Sequence, residues 1–268
     1  MPAIQPARLK KQVADLAAIF DQPVQFVRQL HALLHQYSDH THRPGQAGLP
    51  SPLVGSYNAP PPVMRQVWLA LMPLVEGDPK RTLPVCDALW AEPNYDLQLL
   101  AARLLGQVPV DPPRPVVERI QAWVQQAADH RLMNGLLENS LVCLQRDAPQ
   151  QMMELVTLWL ASSELTSQQA GLRALLPVIA SSGSENMPAI FRLLTPYLRI
   201  APTRLRPDIL RVLSALVQIS PAETAYVLRQ NLSAPDNPDT QWLIRQVLDR
   251  FSEETRAGLK KEMKEIGN

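Results

Sequence analysis

The feature that most restricts this chain is an apolar segment that keeps returning. LLAARLLGQV, GLLENSLVCL, AGLRALLPVI, ILRVLSALVQI and WLIRQVLDRF follow one another about every 32–39 residues, the spacing of helical-repeat arrays. Each is apolar on nearly every side, so more than one neighbour has to cover it. Each follows a more amphipathic stretch, such as TLPVCDALWAE or RPVVERIQAWVQQAA, that can keep one face in water. A single hairpin cannot bury its own apolar face, whereas stacked hairpins share a continuous core. The pattern predicts an all-α solenoid of antiparallel helix pairs. No stretch shows the period-two alternation of a half-buried strand.

The chain has 268 residues, of which 46% are hydrophobic and 19% charged, enough to build a substantial core. The low content of Phe and Tyr, with much Leu, Ala and Gln, favours helices over sheets. Its 26 prolines fit a helical chain if they sit at helix starts and in short connectors, where a fixed φ helps. The expected organisation is a single solenoid domain over 1–268: N-terminal helices in 7–37, a long loop at 38–62 and helical repeats over 63–265. A formal charge of +1 gives no global pull toward nucleic acid or membrane, though a local patch can still form. Cys86 and Cys143 lie among apolar helical positions and are expected as buried free thiols. The N-terminus MPAIQPARLKKQVADL has no apolar leader core and no long apolar run occurs, which predicts a soluble cytoplasmic protein without a membrane partner.

With the helix-pair rhythm in place, LVGSYNAPPPVMRQVW followed by LWAEPNYDLQLLAARLL resembles the AlkD-like DNA-alkylation-repair family of HEAT-like repeat proteins. The matching elements are Gly55, Pro60, Leu89, Trp90, Asp96 and the LLAARLL run, and LWLASSELTSQQAGLRALL is similar to a later family segment. The resemblance spans roughly residues 55–250 and implies a HEAT-like α-α superhelix with a concave DNA-binding face. It also implies how active members work: an acidic residue near a Trp, an Arg and further aromatics excise alkylated bases. The chain departs from that pattern. VQQAADHRLMNGLL has no Trp between Ala127 and Leu137, its only acid is Asp129, and Asn134 or Leu132 falls nearer the acidic position. Thr166 and Gln169 stand where the family has Trp-x-x-Arg. A carboxylate stabilises a developing oxocarbenium-like cation, which an amide or a leucine cannot do.

Two further clusters are candidates for chemistry. In HALLHQYSDHTH, His31 and His35 are one helical turn apart, and His40 and His42 follow. They could supply the three or four ligands of a zinc site, although HALLH lacks the Glu of a metalloprotease motif, and two surface-helix histidines beside a polar loop are the simpler reading. In FRLLTPYLRIAPTRLRPDILR, Arg192, Arg199, Arg204, Arg206 and Arg211 could meet phosphates or form a solvated ridge paired with acids. The tryptophans, Trp68, Trp90, Trp123, Trp159 and Trp242, sit mostly at apolar helical positions and are expected in the core or anchoring turns. No P-loop, GxGxxG or GxSxG occurs, and no cofactor is expected.

The expectation for function is therefore a non-catalytic solenoid that binds double-stranded DNA or a protein along its concave face. The alternative is a divergent DNA glycosylase with Asp129 as its carboxylate, beside His130 and Arg131.

Overall fold

Prolines mark where the helices begin. Nine of the described helices carry one at their first or second position, where its missing N–H costs nothing. A computed structural model describes residues 5–38, 53–181 and 187–266. The helices are α1 (Pro6–Ala17), α2 (Pro23–Tyr37), α3 (Pro61–Gly77), α4 (Pro79–Trp90), α5 (Tyr95–Leu105), α6 (Arg114–Gln126), α7 (His130–Ser140) and α8 (Val142–Asp147). They continue with α9 (Pro149–Ala161), α10 (Leu165–Ser181), α11 (Met187–Arg199), α12 (Arg206–Ile219), α13 (Pro221–Leu232), α14 (Thr240–Val247) and α15 (Glu253–Ile266). Among the described residues there is no β-strand, only an isolated bridge between Gly55 and Asn94. The fold is an all-α helical-repeat fold.

Prolines also occur inside helices, which the expectation of starts and connectors did not include: Pro73 in α3, Pro84 in α4, Pro177 in α10 and Pro196 in α11. Each removes an i→i−4 bond. Pro73, Pro84 and Pro196 are exposed, on the side where a freed carbonyl meets water, while buried side chains hold the opposite face.

The chain divides into two compact units, Met1–Met152 and Met153–Asn268. In the first, α1 packs on α3, α2 on α4, α4 on α5 and α5 on α7. Helices two apart in the chain lie side by side, as stacked hairpins require. The stripes that meet are Phe26, Leu30 and Leu34 of α2, Val85 and Leu89 of α4, Leu97, Leu100 and Leu104 of α5, and Leu132 and Leu136 of α7, all buried. Burying each such side chain contributes roughly 1.5–3 kcal/mol. Trp90 and Trp123 are also buried, their rings stacked at 4.5 Å and 5° apart, with Trp90 Nε1 donating to Gln126 Oε1 at 2.8 Å.

The segment RLMNGLLENSLVCLQ, which reads as one helix, is broken at Leu141 into α7 and α8. The cause is a close backbone crossing. Gly106, which ends α5, lies against residues 139–140, and its carbonyl accepts the Cys143 N–H at 3.2 Å.

In the second unit α10 packs on α12, α11 on α13, α12 on α13 and α14, and α13 on α15. The charged tail SEETRAGLKKEMKEIGN is mostly the helix α15, because Leu259 and Met263 fall on one face and are buried. Arg229 pairs with Glu262 at 2.9 Å beside them. Arg173 of α10 and Asp208 of α12 form a nearly buried pair, Nε–Oδ1 2.9 Å and Nη2–Oδ2 3.2 Å. Cys86 and Cys143 are free and buried, and burial pushes the Cys86 thiol far above its usual range. No described helix is long and apolar enough to cross a membrane.

Candidate nucleic-acid interface

In the first unit, three helices each leave an outward edge opposite their buried stripe. On α3, Val63, Val67, Leu71 and Val75 are buried at four-residue spacing, which turns Met64, Arg65, Trp68 and Leu69 the other way. On α5, Tyr95, Leu99 and Arg103 recur at the same spacing on the less buried side. On α7 the corresponding positions are Arg131, Asn134 and Glu138.

Side chains join these edges. The Arg103 guanidinium lies 4.0 Å over the Trp68 ring, linking α5 to α3. The Arg131 guanidinium lies 4.5 Å over the Tyr95 ring, linking α7 to α5. Arg65 and Arg103 are exposed and have no carboxylate partner among the described residues. Partial burial lowers the Arg103 pKa, but a guanidinium stays charged at any physiological pH. The surface thus interleaves cations with flat rings, as nucleic-acid-binding surfaces do. Sequence reading missed it by assigning all five tryptophans to the core or to turns. Trp90, Trp123 and Trp159 are buried, whereas Trp68 and Trp242 are partly exposed under Arg103 and Arg206.

The arginines of 192–211, in the second unit, serve several ends. Arg199 Nε donates to Asn231 Oδ1 at 2.9 Å. Arg206 donates to the Ala201 carbonyl at 3.1 Å and pairs with Asp239 at 2.9 Å. Arg211 reaches Asp208 at 3.9 Å, the carboxylate already held by Arg173. Arg192 and Arg204 are exposed, without an ion pair among the described residues. Arg199 therefore ties α11 to α13, Arg206 ties two connectors together, and Arg192 and Arg204 are the members of the set left to meet a ligand.

Asp129 caps α7. One carboxylate oxygen accepts the Leu132 N–H at 2.8 Å, and the other accepts the Leu53 N–H at 2.7 Å. Replacing Asp129 by Ala should cost about 1 kcal/mol, the usual value of a lost N-cap, which denaturant unfolding checks. Gln169 is partly exposed on α10, four residues before Arg173, the guanidinium nearest to it on that helix. That guanidinium is bound by Asp208.

The histidines are placed differently. His31 lies between Tyr57 and Glu92: Nδ1 is 2.6 Å from the Tyr57 hydroxyl and Nε2 is 3.2 Å from Glu92 Oε2. With the phenol donating to Nδ1, Nε2–H donates to the carboxylate. His35 follows one turn later on α2, while His40 and His42 lie outside the described residues. Among the described residues no three His, Cys, Asp or Glu are grouped to hold a metal.

This chain of bonds anchors residues 53–60. Asp96 accepts from Ser56 Oγ and the Tyr57 N–H, and the Gly55 carbonyl accepts the Tyr95 N–H at 2.8 Å where α5 begins. Burial, then the carboxylates of Glu92 and Asp96, raise the Tyr57 pKa above its usual 10.0. A raised folded-state value makes Tyr57's contribution to stability complete below about pH 10 and lost as pH climbs through the folded-state pKa. Tyr57→Phe should therefore lessen the fall in Tm above about pH 10, leaving the shares of Tyr197, Cys86 and Cys143, whose pKa values burial also raises. An unchanged alkaline slope would contradict this.

Among solved structures, the crystal structure of an engineered protein is similar over 99% of this chain and 69% of its own, at 16% identity and a TM-score of 0.33. No curated protein matches at a significant level. The family described as DNA alkylation repair enzyme matches residues 56–206, more than half of the chain, including all of α3, α5 and α7. The chain belongs to the DNA alkylation repair enzyme family.

Proposed function

We propose that this family member binds double-stranded DNA through arginine–phosphate contacts and does not excise bases. The observation that carries the reading is the surface of α3, α5 and α7, where Arg65 and Arg103 are exposed without a carboxylate and rings lie under Arg103 and Arg131. Guanidinium groups of this kind release condensed counterions when they neutralise phosphates, which drives binding without base readout. Arg192 and Arg204 extend the same chemistry on the second unit.

Two features support binding without excision. Asp129 has one backbone N–H on each carboxylate oxygen, in the role of a cap. Gln169 carries no charge, and Arg173 beyond it is held by a nearly buried Asp208. Neither arrangement leaves a carboxylate and a guanidinium aimed together at a reacting sugar. With two buried free thiols, we place the protein in the reducing cytoplasm.

The test pairs two readouts on one alkylated duplex: affinity and release of modified bases. The expected result is binding that weakens about tenfold in Arg65→Gln/Arg103→Gln, with no base released by wild type. Base release that vanishes in Asp129→Asn would establish the glycosylase instead. No duplex binding at low salt would turn the reading toward a protein partner.

A further inference from the structure

The first turn of α3 opens into a cleft of ≈ 550 Å³ that shares Arg65 and Arg103 with the duplex-binding surface and adds an apolar wall to them. Its apolar wall is made by Pro61, Pro62, Met64, Leu69 and the Trp68 ring, and Arg65 and Arg103 stand beside that wall. Leu69 is 52% exposed, so a large apolar side chain lies open to water next to two cations. Such a pairing suits a ligand with one flat apolar part and one anionic part.

The start of a helix often meets anions with its free N–H groups, but α3 has none to offer. Pro61 and Pro62 carry no N–H, and those of Val63 and Met64 are bonded to the Pro60 carbonyl at 2.9 and 3.4 Å. An anion here is met by the side chains of Arg65 and Arg103. The volume lies within the range of small-ligand sites, roughly 300–1,000 Å³.

We infer that this cleft holds one unpaired nucleotide of a DNA strand, its base against Trp68 and its phosphate between Arg65 and Arg103. The inference rests on the DNA-binding reading above. In a duplex the base faces are stacked on one another, so a duplex presents phosphates to the arginines and nothing flat to the indole. An unpaired base supplies its face, and every base has one, so the site is tolerant of sequence. The Arg103 guanidinium lies 4.0 Å from the centre of the Trp68 ring and covers that face, so the base meets the exposed remainder of the indole.

The experiment compares a short labelled oligothymidylate with an abasic deoxyribose-phosphate strand of equal length, using fluorescence anisotropy on the full chain. Wild type should prefer the base-bearing strand about tenfold. Trp68→Phe should keep the preference and Trp68→Ala should bring the ratio to about one. Because Trp68 is partly buried, Leu69→Asp gives a second route: this exposed position tolerates the change, and its carboxylate should lower the ratio. Equal affinity of wild type for both strands would overturn the inference, as would an undiminished ratio in folded Trp68→Ala or in Leu69→Asp. Duplex affinity, measured alongside, separates the two readings. Loss of base preference with duplex binding intact overturns only this inference, and the reverse overturns only the duplex reading.

Discussion

Gly106→Ala should destabilise the first unit by about 3 kcal/mol or more. A Cβ built on Gly106 would lie 1.8 Å from the Asn139 carbonyl oxygen and 2.9 Å from its carbon. Both are backbone atoms, so no side chain can swing aside to make room. Relief requires moving the end of α7, and with it the Cys143 N–H bonded to the Gly106 carbonyl. Gly55 provides the control. Its Cβ would meet nothing closer than 3.9 Å, so Gly55→Ala should cost about 0.5 kcal/mol or less. Thermal unfolding followed by circular dichroism reads both, and equal effects would contradict the crossing described for α5 and α7.

Asp208→Ala should cost about 3–5 kcal/mol in the second unit. The side chains of Arg173 and Asp208 are only 9% and 4% exposed, so removing the carboxylate leaves a guanidinium in poor contact with water. Arg211, at 3.9 Å, is too far and too exposed to be the main partner. Replacing both members together, as Arg173→Met/Asp208→Leu, should recover most of the loss, because an apolar pair needs no desolvated charge. A single substitution costing less than about 1 kcal/mol would show that water reaches the pair.

The helical repeat was legible because its cause is local: apolar residues at 3.6-residue period, prolines at starts, and caps such as Asp78 and Asn94. The break at Leu141 was not, because it is made by Gly106, 35 residues earlier, and no local pattern reports a backbone crossing. At the end of the chain, Leu259 and Met263, one turn apart, hold the charged helix α15 down.

The site residues divide in the same way. The arginines of 192–211 are visible as a run, but Asp239 and Asn231, which engage two of them, come from distant segments. Trp68 was within reach. Val63, Val67, Leu71 and Val75 define the buried stripe of α3, and Trp68 falls one residue off it, next to Arg65 on the open side. That offset marks a ring placed for recognition or for stacking with a cation. What no local reading could supply is Arg103, which reaches it from another helix.

The most direct test of DNA binding by unpaired arginines is the salt dependence of duplex affinity. Between about 50 and 200 mM salt, log K should fall linearly with log salt concentration, and Arg65→Gln/Arg103→Gln should reduce the slope by about 2. An affinity indifferent to salt, or a slope the double substitution leaves unchanged, would contradict the account.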